Sequence, residues 1–152
     1  MTDPAFLPET VHATCVVVQG TGVLLYGRSG SGKSDLALRL IDRGAGLVSD
    51  DYTTLRRRDR TLTATCPPEI SGKMEVRGIG IIECETVEQI PISLCVVLDE
   101  PVERMPPERF GLRRFSGIDV PAIALHALEA SAPIKVELAA GAIRQGAQRE
   151  QP

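Results

Sequence analysis

Apolar and polar positions divide this chain into short apolar runs separated by turn-forming clusters. Residues 11–18 are rich in β-branched and apolar side chains. Gln19-Gly20-Thr21-Gly22 is a turn signal, and a second apolar run follows, Val23-Leu24-Leu25-Tyr26. Together they predict a hairpin. From Lys33 the period changes: Leu36, Leu40 and Ile41 recur at helical spacing, Arg43 falls in the last turn and Gly44 offers a C-cap. A short strand is predicted over 46–49, ending in Asp50-Asp51. Residues 52–58 and 61–65 alternate around Asp59-Arg60, which predicts a second hairpin. The run Arg56-Arg57-Arg58 suits either a solvated edge strand kept from aggregating by its charge, the commoner case, or a basic patch for a partner.

Cys66-Pro67-Pro68 breaks the alternation. Residues 70–84 hold glycines between β-branched positions, which predicts a loop and a strand closely approached by another group. Residues 92–98 read as a buried strand, 99–111 as a charged, Pro-containing surface loop, and 121–125 as a short strand. A closing helix is predicted over 133–145, with Ile134, Val136, Leu138 and Ile143 apolar and Ser131 placed to cap its start, although Gly141 interrupts it. The fold class is α/β: a β-rich domain carrying one phosphate loop and its helix. Residues 1–152 are expected to form a single domain, with flexible ends at 1–10 and 146–152.

The chemistry centres on Gly27-Arg28-Ser29-Gly30-Ser31-Gly32-Lys33-Ser34, a G-x-x-x-x-G-K-S phosphate loop set between a strand and a helix. Its glycines let backbone N–H groups turn toward a polyphosphate, and the helix start adds positive dipole character. Lys33 can reach the β/γ-phosphates and the Ser34 hydroxyl can ligate Mg²⁺. A Gly/Ser turn that merely contains Gly-Lys-Ser would need neither the flanking strand nor the helix. Asp50 and Asp51 end the next strand, where one carboxylate can serve a metal and the other a proton transfer; alone, such a pair also closes ordinary turns. His12, on the strand that hairpins into the loop strand, either projects toward this site or is a surface histidine; spacing alone favours the second. Glu75 and Arg77 share one strand face, as a metal and phosphate pair or as a surface ion pair. His126 has no such context.

Composition narrows the classes. The length suits one domain with a sizeable core, and the 43% apolar fraction excludes a disordered chain. Aromatic content is only 3% without Trp, so aliphatic side chains must fill the core. A net charge of −3 argues against a general nucleic-acid binder. Cys15, Cys66, Cys84 and Cys95 show no metal-site spacing, and Cys15 and Cys95, inside apolar runs, suit buried thiols in a reducing cytosol. No secretory h-region and no run of membrane-spanning length occurs, so a soluble cytoplasmic protein is expected.

Several of these pieces together resemble one family. His12, Gly20-Thr21-Gly22-Val23-Leu24-Leu25, the phosphate loop, Arg43-Gly44 and Leu47-Val48-Ser49-Asp50-Asp51 look like the catalytic domain of HPr kinase/phosphorylase. Met74-Glu75-Val76-Arg77-Gly78-Ile79-Gly80-Ile81-Ile82 resembles that family's own signature, a more specific match than the loop. The similarity covers about residues 11–125. It implies a fold related to PEP carboxykinase and an ATP- and Mg²⁺-dependent serine kinase acting on the phosphocarrier HPr, in many members with the reverse reaction. By position it implies that residues 27–34 bind nucleotide and that Asp51 is the base, assisted by His12. It further implies that Ser34, Asp50 and Glu75 serve the metal, and that Arg109 lies near the transferred phosphate. A homo-oligomer is implied as well. The motifs begin at His12, as in a short form lacking the family's N-terminal domain. Leu128-Glu129-Ala130-Ser131-Ala132-Pro133 stands where members carry Pro-Gly-Arg-Asn. Two alternatives stay open: an ATP-sensing regulatory module without phosphoryl transfer, and a small-molecule kinase on the same fold.

Overall fold

The structure, a computed structural model, describes residues 7–105 and 110–146. In chain order the strands are β1 (Glu9–Val11), β2 (Ala13–Val18), β3 (Thr21–Tyr26), β4 (Gly46–Ser49), β5 (Thr53–Arg58), β6 (Thr61–Thr65), β7 (Lys73–Val76), β8 (Gly80–Glu83), β9 (Gln89–Val97), β10 (Gly111–Phe115) and β11 (Ile118–Ala124). The helices are α1 (Lys33–Asp42) and α2 (Ala132–Arg144). Among the described residues nine strands share one sheet, with β1-β5-β6-β9-β3-β2-β4 along its main path.

The long β9 joins the two halves. Its start, Gln89 to Pro91, pairs antiparallel with β6, and from Ile92 it runs parallel to β3. At Cys95 to Val97 it also pairs parallel with β11, which carries β10. Alternate side chains go to opposite faces. Val16, Val23, Leu25, Leu94 and Val96 meet Leu36 and Leu40 of α1 and Val136 of α2. Cys15, Leu24, Cys95 and Val97 face Leu55, Leu62, Phe115 and Val120. Both faces of the central strands are therefore covered, which is why they read as nearly unbroken apolar runs. Trimming one such leucine to alanine costs about 2–5 kcal/mol. Burial pushes the Cys95 thiol up to about 12 and raises Cys15 further, so both are packing groups rather than nucleophiles.

Several expectations need correction. Glu9 and Thr10, expected in a flexible lead, pair with β5 at Leu55 and Thr54; residues 1–6 and 147–152 lie outside the described part. Residues 70–84 form a hairpin, β7–β8, after a 3-10 turn over Pro68–Ile70. Its Met74 is buried in the helix-side core, while Ile79 and Ile81 are 77% and 71% exposed. The expected loop over 99–111 ends in a strand, β10, whose polar Arg113 and Arg114 hid it from the apolar pattern; β11 begins at Ile118 rather than 121. Ser131 precedes α2 but makes no side-chain cap hydrogen bond. Of the four apolar α2 positions, Val136 is buried and Ile143 packs partly, but Ile134 and Leu138 lie four residues apart on the exposed face. Arg56 to Arg58 follow the last residue paired with β1, and Arg57 donates to the carbonyls of Asp59 and Ser116.

Candidate active site

The phosphate loop follows directly from the end of β3. Gly30 and Gly32 take φ of 84° and 95°, which L side chains rarely adopt. A Cβ on Gly32 would also lie 2.8 Å from Ala127 Cβ, and one on Gly27 would lie 2.7 Å from Ser31 Oγ. No side chain caps α1, so its first N–H groups are left to an anion. The Lys33 ammonium donates to the carbonyls of Gly27 (2.8 Å) and Arg28 (3.0 Å). Burial pulls its pKa down; Asp51, Asp99 and Asp50 pull the other way. Ser31 Oγ is buried without a hydrogen-bond partner among the described residues. An orphaned hydroxyl in a cradle that a Cβ would fill fits a nucleotide polyphosphate.

The two aspartates stand on a strained turn. Between Val16 and Cys15 of β2, the β4 partner shifts from Leu47 to Ser49, a bulge at Val48, two residues before Asp50. Asp51 then takes φ 69°, and the Tyr52 N–H donates to the Asp50 carbonyl at 2.8 Å, a γ-turn of the rare hand. The Ser49 hydroxyl bonds the Tyr52 carbonyl and holds the turn's exit. Asp50 Oδ1 accepts hydrogen bonds from Ser34 Oγ (2.6 Å) and Thr14 Oγ1 (3.2 Å). Asp51 Oδ1 is 2.7 Å from His12 Nε2, and Tyr52 stacks on the His12 ring with centroids 5.0 Å apart.

The residues singled out from sequence therefore converge in two linked groups, Ser34 with Asp50 and His12 with Asp51. His12 sits at the bend between β1 and β2, where the chain changes partners, rather than within a strand. Glu75 is exposed on β7, opposite in face to buried Met74, and its side chain makes no hydrogen bond or ion pair among the described residues, including to Arg77. Arg109 lies outside the described residues. Two residues were missed. Asp99 ends the buried run of β9, beside the loop strand, where phosphate-loop proteins present acidic residues; that run ending in an acid was the available signal. Its Oδ2 accepts the Arg28 N–H at 2.9 Å and lies 3.3 Å from Arg28 Nε. Thr14 carried no signal, being one threonine in a β-branched run. An open cavity of about 620 Å³ extends from His12 and Arg28 to Asp99, Glu100 and Arg113.

The family described as "HPr Serine kinase C-terminal domain" matches residues 6–144. A protein of Chlorobium luteolum named HPr kinase/phosphorylase is 39% identical over 136 residues, covering 81% of this chain and 41% of that protein. A Clostridium botulinum protein of the same name is 49% identical over 77 residues, 50% of this chain and 25% of its own. The chain thus spans about four tenths or less of the length of these relatives. The solved structure of the HPr(Ser) kinase/phosphatase from Coxiella burnetii superposes with a TM-score of 0.78 at 30% identity, covering 90% of this chain and 97% of that one. The curled, strand-rich α/β fold is the one seen there, and the chain belongs to the HPr serine kinase family through its C-terminal domain.

Proposed function

We propose that this chain is an ATP-dependent protein serine kinase whose acceptor is an HPr-type phosphocarrier, working as one catalytic domain in the cytoplasm and as a homo-oligomer. The observation that carries it is the hydrogen-bonded line from the phosphate loop to a candidate base: Ser34 to Asp50, Asp50 through Thr14 to the Asp51 amide, and Asp51 to His12. Loop N–H groups and Lys33 bind the β/γ-phosphates. The acceptor hydroxyl enters from the cavity beside His12 and attacks the γ-phosphorus, Asp51 takes its proton, and the bond from the γ-phosphorus to the leaving ADP oxygen breaks. His12, at 2.7 Å, orients the Asp51 carboxylate. Ser34 and Asp50, with Glu75 as a further candidate, would hold Mg²⁺, which supplies positive charge against the phosphate oxygens. Arg109 is assigned to the transferred phosphate. Running backward, the same groups would let inorganic phosphate take the phosphoryl group from the seryl phosphate.

Labelled ATP with Mg²⁺ and purified HPr from the same organism test this directly. Label is expected on wild-type HPr and not on a Ser→Ala HPr. Tight ATP binding without label on HPr would instead favour the regulatory module or another acceptor.

A further inference from the structure

Thr14 takes no part in the assignments above as a reacting group, yet it is fully buried and touches both aspartates. Its hydroxyl has one proton and two lone pairs. The proton goes to Asp50 Oδ1 at 3.2 Å, and a lone pair accepts the Asp51 N–H at 3.0 Å. The last β2–β4 pair is Cys15 with Ser49, so Thr14 stands where the backbone ladder has ended and the turn peels away. Its neighbour Ala13 is served in the same way, by the Thr53 hydroxyl donating to its carbonyl at 2.8 Å. Two threonine hydroxyls thus replace ladder hydrogen bonds around the strained Asp51.

We propose that Thr14 is a positioning residue for phosphoryl transfer: its buried hydroxyl clamps Asp50 toward Ser34 and holds Asp51, at positive φ, with its carboxylate facing His12. The assignment rests on Asp51 being the base. Because Ser34 and Thr14 both bond Asp50 Oδ1, Asp50 Oδ2 has no protein donor among the described residues. The clamp so holds Asp50 against Ser34 of the phosphate loop while the Asp51 carboxylate meets His12. Valine has the shape of threonine without the hydroxyl, and serine keeps the hydroxyl.

Thr14→Val is expected to lower kcat by about tenfold to a hundredfold, the scale of a displacement near 1 Å at a reacting group, with KM for ATP within about threefold. Thr14→Ser is expected to restore kcat. Amide hydrogen exchange read by NMR gives an answer independent of activity. The Asp51 N–H, although in an exposed turn, is expected to exchange slowly in the wild-type chain and in Thr14→Ser, and at least about tenfold faster in Thr14→Val. A Thr14→Val enzyme with wild-type kcat overturns the proposal. So does a wild-type Asp51 amide that exchanges as an unbonded one, and that measurement decides the clamp even where Thr14→Val does not fold. Absence of transfer by the wild-type chain would overturn the kinase assignment, while the Asp51 exchange still decides the clamp.

Discussion

The phosphate loop and the aspartate turn meet at the Ser34–Asp50 hydrogen bond but are held in different ways. The loop is assembled from eight consecutive residues, and its left-handed backbone falls on Gly30 and Gly32, where it costs little. The turn puts left-handed backbone on Asp51, a cost of about 1–3 kcal/mol that the surroundings must offset. Those surroundings are remote: His12 lies 39 residues away and Thr14 lies 37. An anion cradle needs only a conformation, so local glycines suffice. The base role proposed for Asp51 needs an aim at one point, and the contacts that hold Asp51 come from His12 and from Thr14 of a neighbouring strand.

The largest effect expected from breaking either side is on chemistry at the turn. Asp51→Asn should lower transfer to HPr by about a thousandfold, within the range for a general base, while calorimetry finds ATP affinity within about threefold of wild type. Transfer retained above a tenth of wild type would remove Asp51 from the base role. On the loop side the split reverses. Lys33→Met should weaken ATP binding by roughly a hundredfold, the loss of a charged hydrogen bond of about 3 kcal/mol. The melting temperature should hold or rise, because burial already pulls the Lys33 pKa down and the variant removes a buried charge. A large fall in thermal stability would contradict that account.

Conformational cost separates the two regions next. Gly32→Ala combines φ 95° with a methyl group 2.8 Å from Ala127 Cβ, and should destabilise by about 1–3 kcal/mol in urea unfolding. At the turn the sign is opposite: Asp51→Gly should be about 1 kcal/mol more stable than Asp51→Ala, with both expected to be inactive. Equal stabilities would mean that Asp51 carries no backbone strain.

The smallest effect belongs to a pair that touches neither region. Arg43, just past α1, donates to Glu137 of α2 at 2.8 and 3.0 Å and holds its carboxyl below the ordinary 4.5. A depressed carboxyl favours the folded state above its unfolded value, and this contribution is lost as pH falls through the folded one. Thermal melts of Glu137→Gln should therefore show a small deficit at pH 7 that shrinks as the pH drops below 4.5. A deficit constant across that window would mean packing rather than charge.

Much of this was legible before any coordinates. The loop, α1 and the β4 strand over 46–49 rest on neighbours in sequence: glycine spacing, a 3.6-residue period, a short apolar run. Ser34, Asp50 and Asp51 followed from that context. What stayed hidden had no local period to show it. In β10 Arg114 faces solvent and Arg113 lies over the Tyr26 ring beside Glu100, so the strand lacks an apolar alternation. The exposed side of α2 carries Ile134 and Leu138, so apolar positions alone do not mark the packed face of this helix.

By itself, then, the sequence determined a phosphate loop on a β-rich α/β domain and the residue types its chemistry needs. Only the tertiary structure decided how they are aimed. It set His12 on Asp51, Thr14 across both aspartates, and Asp99 against Arg28, 71 residues apart. Contacts at such separations depend on the order and register of strands, here β2 between β3 and β4 with a bulge before Asp50. Strand order is settled by burying both faces of the whole sheet at once, a condition no short stretch of chain contains.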